Sequence, residues 1–447
     1  MYKEKKVRIS QCMIVKNEEK NIEKALSWGK GILWERIVVD TGSTDRTVEL
    51  AQRMGAKVYH FPWIDDFSAA KNYAIEQARG EWIAFLDADE YFPDEDRQRL
   101  IQLLNMLQKH RCDGVMTRWI HLNDEGNIKS IDSQIRFFRN DPSLRYRKRI
   151  HEHLAAADGH DLLIWDATDN MSIYHLGYTT EAFETKKGRN MRLILVELEE
   201  HPDDFEMLGY LGNEYEVLGE WEKAEESYRK AVMHMPEKMR GRYDITTSGC
   251  MFRLLELLSV KQGIEERELL EVYRSAVDGW PEEGDYDYIM GKYYASLGNY
   301  PAGQKHLSQA LKILEQYGNS ARSAQLSGKL AAAYELLTVC CYHNGDLAEC
   351  VRLASALLKE NRYSMSTLVL LLSALGRDME VNGKGMEGAG EAAVFLGRNL
   401  YDLQSLKDRL FLLRGATEAG YRDLVQVIRG LFTPEEMQLV DQAMNQK

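Results

Sequence analysis

Residues 37–61 read IVVDTGSTDRTVELAQRMGAKVYHF, and their alternation decides the fold. IVV (37–39) is an apolar run of strand length, and KVYHF (57–61) is another. Between them TDRTVELAQRMG (44–55) has helical spacing and closes on Gly55, a residue type favoured at helix C-termini. The unit repeats downstream, where SAAKNYAIEQARG (68–80) is helix-like and glycine-closed and EWIAFLD (81–87) is the next strand. Alternation at this spacing means βαβ units and a mostly parallel sheet, an α/β fold whose particular scaffold the pattern alone does not name. Beyond residue 110 the pattern loosens, and VMTRWIHL (115–122), SQIRFFR (133–139) and MSIYHLG (171–177) read as further strands of mixed direction.

At 447 residues the chain is long enough for two or three domains. Hydrophobic residues make up 44% and charged residues 28%, which is globular composition and excludes whole-chain disorder. A net charge of −13 makes nucleic acid and anionic membranes poor partners. Six scattered cysteines without a C-x-x-C spacing argue against a disulfide framework and against a zinc ribbon. The N-terminal stretch has no apolar core of signal-peptide length, and LVLLLSAL (368–375) falls far short of the ~18–20 residues that span a bilayer. The expectation is a reduced, cytoplasmic, soluble protein with no membrane span.

From Thr180 onward the texture is helical, and a repeat emerges. Leu211, Gly212, Tyr215, Gly219, Ala224, Tyr228, Ala231 and Pro236 fall in register with the 34-residue tetratricopeptide pattern, lacking only its leading tryptophan. Gly291, Tyr294, Gly298 and Ala310 form a second copy, with a degenerate copy at Tyr273, Ala276 and Pro281. A weaker helix pair surrounds Gly345, and GKGMEGAG (383–390) reads as a hinge. The domains expected are therefore 1–180 (α/β), 181–362 (an all-α repeat solenoid) and 363–447 (a helical cap).

Two stretches carry chemistry. In IVVDTGSTDRT (37–47) a strand ends in Asp40, Gly42 permits a tight turn, and Ser43 or Thr44 can cap the next helix. This is the ligand edge of an open α/β sheet, where a carboxylate meets a base or ribose and a helix N-terminus meets phosphate. In FLDADEYF (85–92) an apolar strand runs into Asp87, Asp89 and Glu90. In an extended chain Asp87 and Asp89 point the same way, so both can face one hard cation, Mg²⁺ or Mn²⁺. A helix-opening acidic cluster is the alternative, since Pro93 follows.

With KNEEKNIEKAL (16–26) and SAAKNYAIEQARGEW (68–82), these motifs resemble, in order, the signature of family 2 glycosyltransferases of the GT-A fold. The subgroup with W-x-D-D-F-S-x-A-(R/K)-N and L-D-A-D-E is similar to lipooligosaccharide β-glucosyltransferases. Fusion to tetratricopeptide repeats resembles bacterial peptide and protein glycosyltransferases, the bacteriocin S-glycosyltransferases among them. The resemblance implies that Lys16, Asn17, Glu18, Asp40, Ser43, Lys71, Asn72 and Asp87 contact a nucleotide sugar, with Asp40 at the base and Lys71 by the base or diphosphate. It implies that Asp89, with Asp87, binds a divalent metal (Mn²⁺ or Mg²⁺) bridging the diphosphate. The second aspartate of the common V-D-D-G-S form is Thr41 here.

RFFRNDPSLRYRKRIHEHL (136–154) gathers Arg136, Arg139, Arg145, Arg147, Lys148 and Arg149, an excess that suits a diphosphate or a solvated loop. The His151-x-His153 spacing suits zinc, but no third cysteine or histidine lies close in sequence. Glu152 stands where the acceptor side is expected and is the candidate catalytic base, the alternative being a salt bridge to a basic neighbour. His175, at the end of SIYHLGY (172–178), is a candidate third metal ligand or a domain-junction residue. The resulting expectation is an inverting, metal-dependent enzyme. It moves a hexose, of glucose or N-acetylhexosamine type, from a UDP-sugar to a peptide or protein held by the repeats. The rival expectations are transfer to a glycan or lipid-linked saccharide, with the repeats used for assembly, and a catalytically inactive nucleotide-binding scaffold. A homodimer through the C-terminal helices is compatible with each, and no residue pattern demands it.

Overall fold

Strand β1 (Ile9–Val15) is buried on both faces, its polar Ser10 and Gln11 included, and the sheet is built outward from it. In the computed structural model, which describes residues 7–123, 125–176, 188–318 and 322–445, β1 pairs in parallel with β2 (Leu33–Asp40) and β4 (Trp82–Phe85). Strand β3 (Lys57–His60) extends the parallel half beyond β2. Helices α1 (Ile22–Ala25), α2 (Thr47–Arg53) and α3 (Phe67–Glu76) connect these strands. Gly55, beyond α2, takes a left-handed φ of 78°, whereas Gly80 follows α3 by several residues and is packed against the backbone of Ser10. Only the first glycine closes a helix in the expected manner.

After β5 (Glu90–Tyr91) and α4 (Arg97–Leu107), the strands β6 (Gly114–Leu122) and β7 (Ile128–Arg139) form an antiparallel pair, with β7 antiparallel to β4. Strands β8 (Leu144–Arg147) and β9 (His153–Ala156) form a separate two-stranded sheet, β10 (Ile164–Asp166) flanks β6, and β11 (Ser172–His175) lies between β6 and β5. The order β3-β2-β1-β4-β7-β6-β11-β5 is thus parallel on one side and mixed on the other, as the loosened pattern beyond residue 110 anticipates. The register sets Val15 beside Asp40 and His175 beside both His121 and Glu90, so the chemistry-bearing motifs share one sheet edge.

The chain divides into two compact units, Met1–His234 and Met235–Lys447. The expected boundary at Thr180 lies outside the described residues. Within the first unit α5 (Arg189–Glu200), α6 (Phe205–Leu218) and α7 (Trp221–His234) follow the sheet. Leu193, Ile194, Met207 and Leu211 bury their side chains with Ile150, beside Trp63 and Phe67. The first repeat is therefore part of the same core as the sheet domain.

The second unit is helical: α8 (Ser248–Val260), α9 (Glu266–Gly279), α10 (Gly284–Ser296), α11 (Tyr300–Tyr317), α12 (Ala324–Gly328), α13 (Leu330–Asn344), α14 (Leu347–Glu360), α15 (Met365–Val381), α16 (Gly385–Asn399), α17 (Leu406–Glu418), α18 (Arg422–Arg429) and α19 (Pro434–Asn445). Buried Asp287 of α10 accepts from the Tyr273 hydroxyl at 2.8 Å and lies 2.7 Å from His306 Nδ1, tying three helices together. The segment 383–390 is not a free hinge: the turn is confined to residues 382–384, and α16 starts at Gly385. No helix among the described residues is long and apolar enough to cross a membrane. All six cysteines are buried and unbridged.

Gly212 shows why the repeat needs its small residues. A Cβ there would stand 2.4 Å from the ring of buried Tyr228, whose hydroxyl donates to Asn213 Oδ1 at 2.7 Å. Gly→Ala in an open helix gains about 1 kcal/mol, but overpacking a core costs about 1–3 kcal/mol. Sterics win at this site. G212A is expected to lower hydrogen-exchange protection across residues 205–234 of the full chain, and Y228L in the same background to restore part of it. Unchanged protection in G212A would show that the ring yields without cost.

Candidate active site

The loops at the carboxyl ends of β1 and β2 are laced together. Asn17, at a left-handed φ of 58°, donates its N–H to Ser43 Oγ at 2.9 Å, and its side-chain oxygen accepts from the Thr44 N–H at 2.8 Å. Ser43 and Thr44 therefore do not cap α2. Asp45 accepts from the Thr47 N–H at 3.0 Å, because the helix begins three residues later than the motif suggests. Asp40 is buried, and its carboxylate accepts from the N–H groups of Gly42 and Ser43 at 3.2 and 3.1 Å. It shapes its own turn, while Thr41, the departure from the common motif, faces the adjoining cavity.

That cavity holds about 950 Å³ and is lined by Lys16, Glu18, Lys71, Asp87, Asp89 and Glu152, together with Arg136 and His175. Asn17, Asp40, Ser43 and Asn72 do not line it. Asn72 brackets the backbone of Tyr146, accepting from its N–H at 2.9 Å and donating to its carbonyl at 3.0 Å. Helix α3 is set by Asp66, which caps it through the Ala69 N–H at 2.8 Å. Its buried Lys71 ammonium lies 3.2 Å from Asp87 Oδ1 and 2.7 Å from Glu152 Oε1, with the rings of Phe85 and Tyr146 beside it.

Arg136, on β7, completes the cluster by donating to Asp87 Oδ2 at 3.0 Å and pairing with buried Glu90. Burial opposes every one of these charges. Lys71 and then Arg136 outweigh it at Asp87, holding that carboxyl well below the usual range, and Asp87 and Glu152 raise the Lys71 ammonium above its ordinary value. Burial wins at Glu90, which Asp87 and Asp89 push further up, to about 7 against the pull of Arg136. Burial also lifts the Tyr146 phenol to about 12.

Asp87 and Asp89 line one cavity but take different partners. The strand ends at Phe85, and the chain turns so that the Glu90 N–H donates to the Asp87 carbonyl at 3.0 Å. The alternation of an extended chain fails there: Asp87 meets Lys71 and Arg136, and Asp89 meets His175, with Asp89 Oδ2 3.2 Å from His175 Nε2. Among the described residues no cluster of three or more His, Cys, Asp or Glu side chains surrounds a common point. The pair nonetheless fits an open cation site. Two donors about 2.1 Å from an octahedral ion and at right angles stand about 3 Å apart, and Mg²⁺-type sites commonly take one or two carboxylates plus substrate phosphates.

The basic segment is mostly engaged elsewhere. Lys148 pairs with Asp204 at 2.8 Å and with Glu206, and Arg149 with Glu200 at 2.6 Å, joining this segment to α5 and α6. Arg139 donates to the carbonyls of Leu107 and Cys112, and Arg145 to those of Asp141 and Leu144. Of the six, Arg136 alone lines the cavity. Residues without a sequence signal complete the wall: Arg189, Asn190 and Tyr210 come from the helices, and Tyr210 stacks on His151 with centroids 3.6 Å apart.

Burial lowers the His151 imidazole to about 4, with Lys148 adding to the effect and Glu152 opposing it. The unfolded chain therefore takes up a proton near pH 6.5 that the folded chain refuses until about pH 4. Stability of the first unit should fall as pH drops through that window, by on the order of 3 kcal/mol. H151F keeps a ring against Tyr210 and should flatten the pH slope of hydrogen-exchange protection in residues 189–218. Equal slopes in both proteins would assign the acid sensitivity to another group.

Residues 10–166 match the family described as Glycosyl transferase family 2. A TPR repeat-containing protein of Synechococcus elongatus is 30% identical over 250 residues, 53% of this chain and 60% of that protein. The SPbeta prophage-derived glycosyltransferase SunS of Bacillus subtilis is 30% identical over 224 residues, 49% of this chain and 52% of its own. The chain thus spans little more than half the length of these relatives. Among solved structures, S. aureus TarS 1–349 in complex with UDP-GlcNAc aligns at 16% identity and a TM-score of 0.37, covering 65% of this chain and 92% of that one. Residues 10–166 thus match glycosyl transferase family 2, and the helices that follow carry the sequence pattern of tetratricopeptide repeats.

Proposed function

We propose that the protein is an inverting, metal-dependent hexosyltransferase that uses a UDP-sugar and glycosylates a peptide or protein side chain, with the repeats holding the acceptor. The observation that carries this reading is one cavity into which Lys16, Lys71, Asp87, Asp89, Glu152 and His175 converge from separate stretches of the family-matched region and its flank. The Asn17–Ser43 latch and the Asp40 turn set the edge at which the nucleotide lies. Arg136 and Lys71 counter the diphosphate charge. Asp89 and His175 would hold the cation, and a Mn²⁺ or Mg²⁺ held there would supply positive charge against the leaving diphosphate, a contribution of several kcal/mol.

Glu152 is the proposed base. One of its oxygens is fixed by Lys71, and among the described residues no hydrogen bond reaches the other. In a single displacement the acceptor atom bonds to the anomeric carbon as the bond to the diphosphate oxygen breaks, and Glu152 takes the acceptor proton. Inversion follows. Tyr210 and Arg189, contributed by the helices, border the same cavity, which supports an acceptor route along the repeat side.

A screen of nucleotide sugars by released nucleotide, followed by mass spectrometry of candidate acceptor peptides, tests the reading. Turnover on a lipid-linked saccharide but on no peptide would leave the repeats an assembly role, and no turnover at all would leave a binding scaffold. Asp89→Ala is expected to abolish most turnover while leaving circular dichroism unchanged, because the carboxylate stands at the cavity rather than in an apolar core. EDTA should mimic it, and Mn²⁺ or Mg²⁺ should restore the wild type. Full turnover in EDTA would remove the metal role from Asp89 and His175 together.

Glu152→Gln preserves shape and can still accept from Lys71, but it takes no proton. Donor binding should persist while kcat falls about 10²–10⁴-fold. A fall of less than about tenfold would move the base elsewhere.

A further inference from the structure

Asp89 and His175 do not end the polar chain at the cavity. Behind His175, on the neighbouring strand and in direct register with it, stands His121, whose side chain has no solvent contact. His121 Nδ1 lies 2.9 Å from His175 Nδ1, and His121 Nε2 lies 3.1 Å from Asp132 Oδ2 on β7. Trp119, two residues before His121 and so on the same face of β6, packs against both imidazoles, with ring centroids 4.2 and 5.0 Å away. The line Asp132–His121–His175–Asp89 thus runs from the exposed face of the hairpin to the cavity.

Proton counting fixes its direction. The line contains three close contacts, and a neutral imidazole carries one N–H. With both rings neutral they supply hydrogens for two contacts, and one contact needs another electrophile. Both carboxylates offer only lone pairs, but Asp89 and His175 line the cavity, where a cation can enter, so the hydrogen is assigned to the Asp132 end, on His121 Nε2, which leaves Nδ1 as an acceptor. His175 must then donate from Nδ1, and its Nε2 lone pair faces the Asp89 carboxylate at 3.2 Å. Two acceptors at that distance repel unless a cation lies between them. That contact, unlike the one at His121, opens on the cavity.

We propose that His121 and Asp132 are positioning residues. They lock His175 as its Nδ1–H tautomer, so that Nε2 is presented to a divalent cation beside Asp89. The inference rests on the metal role given above to Asp89 and His175. Removing the partner that orients a metal-bound imidazole typically costs 10–100-fold in metal affinity. Without His121 the His175 hydrogen moves to Nε2, where it bonds to Asp89 and blocks the cation.

The test uses the full chain, with Mn²⁺ titrated in the presence of UDP and free Mn²⁺ followed by electron paramagnetic resonance. His121→Phe should weaken Mn²⁺ binding about tenfold or more, whereas His121→Asn, whose amide oxygen occupies nearly the place of Nδ1, should stay within about threefold of wild type. Asp132→Ala, on an exposed stretch of strand, should weaken binding to an intermediate extent and serves if His121→Phe fails to fold. Nitrogen-15 spectra of histidine-labelled protein without metal should show His175 protonated at Nδ1 in the wild type and at Nε2 in His121→Phe. Wild-type-like binding in both His121→Phe and Asp132→Ala, or an Nε2–H His175 in the wild type, overturns the inference while leaving the cation site standing. A wild type that takes up no Mn²⁺ with UDP overturns both.

Discussion

The Lys71 ammonium, buried between Asp87 and Glu152, is the constraint around which the first unit is arranged. An ion of this kind is tolerated in an interior only when paired, and removing one partner of a buried pair typically costs about 3–5 kcal/mol. Helix α3 must therefore deliver Lys71 to one place, and its other polar residues do that holding. Asp66 caps the helix, Ser68 donates to the Lys148 carbonyl at 2.5 Å, and Asn72 clasps the Tyr146 backbone. The motif W-x-D-D-F-S-x-A-K-N is thus mostly a device for placing one charge, and few of its residues touch the cavity.

The same charge explains why so many carboxylates survive at one strand end. Asp87 is neutralised from two sides by Lys71 and Arg136, so Asp89, two residues later, is left to a different partner. Glu90 fills the interior behind them and shares Arg136. A row of acidic residues that looks uniform in sequence is divided into an anchored residue, a cavity-facing one and a buried one.

Much of this was legible in the sequence. Apolar runs of strand length and helical spacing place β2–β4 and α2–α3 within a few residues, and the repeat pattern places the helix pairs around Gly219, Gly298 and Gly345. Ordered motifs singled out Lys71, Asp87 and Asp89, and place in the chain singled out Glu152 after the basic segment and His175 at a strand end, all of which the cavity brings together. Local spacing failed where partners lie far away in the chain. Nothing near residue 136 distinguishes Arg136 from Arg139 or Arg145, because the distinction comes from strand register. The turn at 87–90 defeats an argument from extended geometry, and the latch between Asn17 and Ser43 takes up a residue that reads as a helix cap. His121 has no motif at all, and its partners are set by the pairing of β6 with β11.

His151 sits at a left-handed φ of 51° and lies flat against Tyr210, a residue of the first repeat. One wall of the cavity is therefore supplied by a helix that carries none of the proposed chemistry. The two walls differ in how much substitution they tolerate. The sheet side is pinned by interlocked charges and changes only at a large loss of stability, whereas substitutions along residues 205–218 can tilt or shift Tyr210 and reshape the opening. The shape of the cavity mouth can thus change through the scaffold, leaving Lys71, Asp87 and Glu152 untouched.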